Sequence, residues 1–238
     1  MADSHDVDWT EEKVAAFWEE PRRGASYFSA TVGPALASWI HRNARPTGLV
    51  VDVGCGHGHL LVEVQALGHE VFGIDASNDS LRHAAERIGS ERVALGTLSR
   101  LPLEDGSAGT LLLVETIEHV LDKDLDPMMS EVRRVLAPGA PLVITTPNNE
   151  DLDASKVVCP DCHARFHPVQ HVRSWSSTTL RAFLREHGFD QTQTFETHLP
   201  HGRGLMALQR RLRFQLRGSR PNLIAIARRP RDGQSRGA

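Results

Sequence analysis

Cysteine is scarce in this chain, with three in 238 residues. So few thiols make no disulfide framework, and a reducing compartment is expected. Long hydrophobic runs are missing as well: no apolar segment reaches about 18 residues, so no membrane-spanning helix is expected. The opening residues, Met1-Ala2-Asp3-Ser4-His5-Asp6, are acidic and lack a secretory pattern. A cytoplasmic protein is therefore expected. No internal repeat occurs. The glycine-rich segment near residue 54 is not followed by the Lys and Ser/Thr of a phosphate loop, which argues against a nucleoside-triphosphate site.

What is present suits one α/β domain with additions. Hydrophobic residues make up 40% of the chain, enough for a real core. Charge is unevenly placed. From Arg203 onward ten Arg stand against one Asp, a charge of +9, so residues 1–202 of a chain with net charge −3 carry −12. Such a strip suits phosphate or an acidic partner; the plainer alternative is a solvated helix face with a frayed end.

Residues 9–20 have helical spacing with Val14, Phe17 and Trp18 on one side, and a second helix is predicted from Ser29 to Arg42. Strands and helices then alternate: strand 49–53, helix 58–67, strand 70–75, helix 78–88, strands 92–96 and 110–115, helix 124–136, strand 141–146. Residues 147–176 break the rhythm. A helix at Ser177–His187, a strand at Gln191–His198, a helix at Gly204–Leu216 and a strand at Asn222–Ala227 follow. Alternation of this kind argues for a parallel sheet with helices on both faces. The expected organisation is an N-terminal helical cap (1–45), a main α/β domain (46–228) with an insert at 150–176, and a disordered tail (229–238).

The segment Val50-Val51-Asp52-Val53-Gly54-Cys55-Gly56-His57-Gly58-His59-Leu60 is a buried strand running into a tight turn and a helix. Its glycines let backbone approach a ligand closely. The next strand, Glu70 to Asp75, ends in an acid placed to accept both hydroxyls of a ribose. A dinucleotide site is one reading, but the Gly54-x-Gly56-x-Gly58 pattern with Asp52 before it resembles the first motif of class I S-adenosylmethionine (SAM) methyltransferases. The resemblance runs from about Leu49 to Pro147: Leu98 to Asp105 is similar to the loop over the adenine, Thr110 to Glu115 to the fourth strand, and Pro138-Gly139-Ala140 with Pro141 to Thr146 to the turn and fifth strand. It implies a Rossmann-like seven-stranded methyltransferase sheet and SAM as cofactor. It also implies cofactor contacts from Asp52, Gly54, Cys55, Gly56, Gly58, Asp75, Ala76, Leu101 and Glu115. Gly96-Thr97 departs from the pattern, because many members carry an acid there.

Ligands in such sheets sit at the carboxyl ends of strands. The fourth strand ends in Glu115-Thr116-Ile117-Glu118-His119. A helical turn there would point Glu115 and Glu118 to one side. Converging carboxylates repel unless a cation or a shared proton relieves them. Glu115, Glu118 and His119 are thus candidate ligands for Mg²⁺ or Mn²⁺ and candidate catalytic residues, with His119 the proton acceptor if no metal binds. Glu-x-x-Glu-His resembles ubiquinone-pathway O-methyltransferases and small-RNA 2′-O-methyltransferases. The second likeness extends to Thr145-Thr146-Pro147-Asn148-Asn149-Glu150 and His167-Pro168-Val169-Gln170-His171-Val172-Arg173-Ser174-Trp175, and implies that His171 or His167 completes the metal site. Gln170 stands where that family has an acid, and no separate RNA-binding domain is visible.

Cys159-Pro160-Asp161-Cys162, followed by His163, His167 and His171, is close to zinc-ligand spacing. Zinc on Cys159, Cys162, His167 and His171 is one expectation; zinc on Cys159, Cys162, His167 and His163 while His171 serves the glutamates is another; one zinc held by His and Glu with the thiols free is a third; a loop with two reduced thiols is the plain alternative. Three functions follow: metal-assisted O-methylation of a small hydroxylated acceptor (phenol, quinol or sugar), 2′-O-methylation of RNA 3′ ends, or a non-catalytic SAM- or zinc-binding regulator.

Overall fold

The computed structural model describes residues 5–19, 28–199 and 220–231. Along the chain come β1 (His5–Asp6), α1 (Glu11–Glu19), α2 (Phe28–Asn43), β2 (Val50–Val53), α3 (His59–Ala66), β3 (Val71–Asp75), α4 (Asn78–Ile88), β4 (Val93–Leu95), β5 (Thr110–Val114), α5 (Asp122–Val135), β6 (Pro141–Pro147), α6 (Leu152–Ser155), β7 (Val157–Val158), β8 (Ala164–Phe166), α7 (Ser177–Glu186), β9 (Thr192–Thr197) and β10 (Asn222–Arg228).

Seven strands form one sheet in the order β4-β3-β2-β5-β6-β10-β9. The first five run parallel, and β10 lies antiparallel to both β6 and β9. Both faces are covered, which is why the strands read as unbroken apolar runs. Pleating sorts their side chains. Val51, Val53, Leu111, Leu113, Leu142 and Ile144 meet Met128, Met129 and Val132 of α5 and Leu180 and Leu184 of α7. Val50, Leu112, Val143 and Ile224 face α2, α3 and α4 through Leu36, Ile40, Leu60, Val64, Leu81 and Ala84.

The expected break at 147–176 holds structure of its own. A short hairpin, β7 with β8, is joined in parallel by β1, so the chain's start is pinned to the insert. Lys156 Nζ reinforces this with ion pairs to Asp6 (2.7 Å) and Asp153 (2.8 Å). The excursion closes where Asn149 N–H donates to the Trp175 carbonyl (2.9 Å). Residues at its two ends therefore return to the same strand end. The helix predicted at Gly204–Leu216 lies outside the described residues. So do 232–238 of the expected tail, whereas Arg229 N–H donates to the Ala140 carbonyl at 3.0 Å. No helix among the described residues is long and apolar enough to cross a membrane.

Candidate active site

Two neighbouring sets of residues occupy the carboxyl ends of the parallel strands. The first surrounds the turn after β2. Gly54, Gly56 and Gly58 have φ of 80°, 52° and 74°, left-handed values that other residues adopt only with strain. Asp75, closing β3, accepts from Gly56 N–H (Oδ2, 2.8 Å) and Ser77 N–H (Oδ1, 2.9 Å), so this acid is braced by the glycine turn itself. Burial pushes its pKa up, and these amides pull it part of the way back. Asp52 is buried at the end of β2 with Oδ1 unpartnered among the described residues. Loss of water, with the nearby Asp75 charge, raises it to about 7. A buried acid with an unpaired oxygen at this turn suits a cationic group of a bound ligand.

Beside Asp75 opens a 670 Å³ cavity lined by Ala76, Leu95, Gly96, Thr97, Arg100, Leu101, Pro102, Leu103 and Glu104. Its volume is in the range of small-molecule sites. Ala76 and Leu101 are thus in the wall of this cavity. Gly96 has a packing reason for lacking a side chain: a Cβ there would approach Pro102 Cδ to 2.7 Å and Ile74 Cγ2 to 2.9 Å. The Cys55 thiol is buried, and Gly73 leaves room for it: a Cβ at Gly73 would lie 2.8 Å from its sulfur. The side chain of Cys55 is therefore a packing group, and only its backbone is placed to meet a ligand.

The second set lies after β5. The expected helical turn at Glu115 does not form. Glu115 takes a left-handed φ of 50°, and a 3-10 turn spans Ile117–His119. Glu115 Oε1 accepts from the Thr145 hydroxyl at 2.8 Å. Loss of water around it, with Glu150 adding repulsion, raises Glu115 to about 7. Glu118 is 1% exposed, and neither carboxylate oxygen has a hydrogen bond of normal geometry. Burial, then repulsion from Glu115, pushes its pKa well above the usual range, and the facing Thr146 hydroxyl offsets only a part.

The returning segment 167–172 is stitched onto this turn. Val172 N–H donates to the Glu118 carbonyl (2.9 Å), and the Gln170 side-chain amide donates to the His119 carbonyl (3.0 Å). Gln170, fully buried with φ 58°, also accepts from Trp18 Nε1 (2.9 Å) through its side-chain oxygen. This residue, which breaks the RNA-family pattern, is the latch between α1 and the site. Trp18 meets the His119 ring edge to face, with centroids 5.1 Å apart.

Side-chain ligand atoms of Glu118, His119 and His171 all lie within 4.8 Å of one another, as do those of Glu150, His167 and His171. His119 Nδ1 faces the Gln170 carbonyl (3.3 Å), and its Nε2 is 4.0 Å from Glu118 Oε1. His167 Nδ1 accepts from the backbone of Val169 (3.4 Å) and His171 (3.3 Å), so its Nε2 carries the proton toward Glu150 Oε1 at 3.2 Å. His171 Nδ1 is 2.5 Å from Glu150 Oε2, which leaves Nε2 as its remaining ligand atom. Glu115 is in neither group.

The residues of the cysteine–histidine expectation are not gathered at one point in this structure. Cys159 and Cys162 sit at the tip of the β7–β8 hairpin, while β8 carries His167 and His171 away to Glu150 and Glu118. Among the described residues, no cluster of three ligands includes either cysteine, so the proposed four-residue zinc set does not assemble. Backbone N–H groups of Cys162 and Asp161 hold the Cys159 thiol below its ordinary range. Glu150 and Gln170 were not among the candidate site residues; the hints were the place of Glu150 at the start of the insert and of Gln170 where the RNA family has an acid.

Comparison with known proteins bears on the fold that carries these residues. Residues 51–144 match the family model described as "Methyltransferase domain". The chain is 36% identical over 113 residues to norajmaline N-methyltransferase from Rauvolfia serpentina, covering 44% of this chain and 38% of that protein. It is 31% identical over 125 residues to the ubiquinone biosynthesis O-methyltransferase of Paraburkholderia phymatum, covering 49% and 52%. The fold resembles the crystal structure of a SAM-dependent methyltransferase from Archaeoglobus fulgidus with TM-score 0.60 at 16% identity, covering 90% of this chain and 99% of that one. The architecture is therefore the class I methyltransferase fold. The chain spans 59%, 38% and 38% of the lengths of the first curated relatives.

Proposed function

We propose that this chain transfers a methyl group from SAM to a hydroxyl of a small acceptor, such as a phenol, quinol or sugar, with a divalent metal at the acceptor side. The observation that carries the reading is Glu118: a buried carboxylate whose oxygens have no hydrogen bond of normal geometry among the described residues, facing two imidazoles beside the glycine turn. A buried anion without a partner is strongly disfavoured, and a cation or a proton relieves it. The donor set of Glu118, His119 and His171 fits Mn²⁺ or Zn²⁺ better than Mg²⁺, since two of three ligands are imidazoles. Glu150 behind His171, itself held by His167, is the carboxylate–histidine support common around metal ligands.

Bound SAM supplies an electrophilic methyl on a sulfonium. The protein's share is position and proton handling. Asp75 and the glycine turn hold the nucleoside end, the cavity over Leu101 takes the base, and Glu115 stands at the strand end between the two sets. Glu118, His119 and His171 would hold a divalent cation, which would supply the means to lower the pKa of an acceptor hydroxyl and orient it. Without it, His119 takes the proton. A second reading, transfer to the 2′-hydroxyl at an RNA 3′ end, draws on the same convergence of His171 with Glu118 and His119. Salt-dependent binding of a short single-stranded RNA separates the two.

The testing experiment is methyl transfer from labelled SAM to a panel of phenols, quinols, sugars and short RNAs, with and without Mn²⁺. Metal-dependent transfer to one acceptor class is expected. Transfer to no hydroxyl, with or without metal, contradicts the proposal.

A further inference from the structure

The second face of the glycine turn carries ligand chemistry that the acceptor site does not use. His57 lies between Gly56 and Gly58, and the turn rests directly on α4: a Cβ at Gly58 would come within 3.2 Å of Ala84. One turn of α4 presents Asp79 and His83 four residues apart, on the same helix face. The His57 and His83 rings are 4.5 Å apart between centroids, and the ligand atoms of His57, Asp79 and His83 all lie within 4.8 Å of one another.

The surroundings hold these groups near one another. Arg82 Nη2 binds Asp79 Oδ1 at 2.6 Å and lies 3.4 Å from His83 Nε2, so a metal would displace this guanidinium from His83; Asp79 Oδ2 is 3.9 Å from the same nitrogen. Glu86 Oε2 stands 3.6 Å from His83 Nδ1, beyond hydrogen-bond distance but near enough to close on that nitrogen and support a ligating imidazole. Arg82 is shared with Glu86 at 3.8 Å, so its charge is answered by two carboxylates. Two imidazoles and one carboxylate with an open fourth position match Zn²⁺ or Co²⁺.

We propose that His57, Asp79 and His83 form a divalent transition-metal site that clamps the cofactor-binding glycine turn to α4. The site is separate from the acceptor side and stands whether or not a metal binds Glu118. Its consequence is coupling. His57 belongs to the turn that braces Asp75, so metal and nucleoside ligand tighten one another by the same factor.

Protein stripped with EDTA is equilibrated with Zn²⁺, and bound metal is measured by mass spectrometry. Wild type is compared with H83A, D79N, E86Q and the double change E118Q/H171A. H83A and D79N are expected to lose one molar equivalent of zinc that E118Q/H171A retains, and E86Q to bind that equivalent about tenfold more weakly. Calorimetry with S-adenosylhomocysteine is expected to show tightening of about fivefold by Zn²⁺ in wild type and none in H83A. Far-ultraviolet circular dichroism checks that H83A is folded. Zinc content of H83A and D79N equal to wild type overturns the site; unchanged homocysteine-product affinity with zinc bound overturns the clamp. A wild type that binds zinc at α4 but no S-adenosylhomocysteine sinks the methyltransferase reading and leaves the site standing.

Discussion

Glu150 and His171, 21 residues apart in sequence, are joined by a 2.5 Å contact between Oε2 and Nδ1. The pairing exists because the excursion after β6 returns to its starting point through the Asn149–Trp175 hydrogen bond. It leaves Nε2 as the nitrogen of His171 available to meet Glu118 and His119, whose ligand atoms lie within 4.8 Å. Glu150 is thus a positioning residue. Glu150→Gln should lower Mn²⁺ affinity by roughly 10- to 100-fold and leave S-adenosylhomocysteine binding intact. Metal titration and calorimetry on the same preparation read both.

Glu118→Gln removes the only carboxylate in the triad. Turnover should fall by about 10²- to 10⁴-fold, the range for loss of a positioned proton-handling group. Product-analogue affinity should stay near wild type. Equal loss of turnover and affinity would assign Glu118 a structural role.

Asp75→Ala should weaken S-adenosylhomocysteine by roughly 10- to 100-fold, because a charged hydrogen bond is worth about 1.5–3 kcal/mol. It also frees Gly56 N–H and Ser77 N–H, which Asp75 now accepts, so the melting temperature should drop. Asp75→Asn should retain more stability than Asp75→Ala.

Asp52 gives a pH signature. Its folded pKa of about 7 lies above the ordinary 3.8, so between these values the folded state holds a proton the unfolded chain has released. Stability of metal-free protein should therefore fall as pH rises through that window and level off above it. Glu115 and Glu118 add slope of the same sign. Asp52→Asn should make the dependence shallower in urea melts from pH 4.5 to 8; an unchanged slope contradicts the assignment.

Much of the fold was legible because strands buried on both faces read as unbroken apolar runs, as in Thr110–Val114 and Pro141–Thr146. The glycine turn, Asp75 and the Glu118-His119 pair were legible for a similar reason: each is a local pattern at a strand end. The pairing of β1 with β8 was not, since two- and three-residue strands carry no periodicity. The cysteine–histidine spacing says little on its own, because spacing is one-dimensional. Cys159 and Cys162 stay at a hairpin tip while β8 carries the histidines to the sheet, so ligands close in sequence part in space. Glu150 and Gln170 were missed for the converse reason, as their partners are brought near only by closure of the excursion.

The most direct measurement is calorimetric titration of S-adenosylhomocysteine into wild type and Asp75→Ala. Saturable heat from wild type, with a matching rise in melting temperature and marked weakening in the variant, is the predicted result. No heat and no thermal shift from folded wild type would contradict the account at its root.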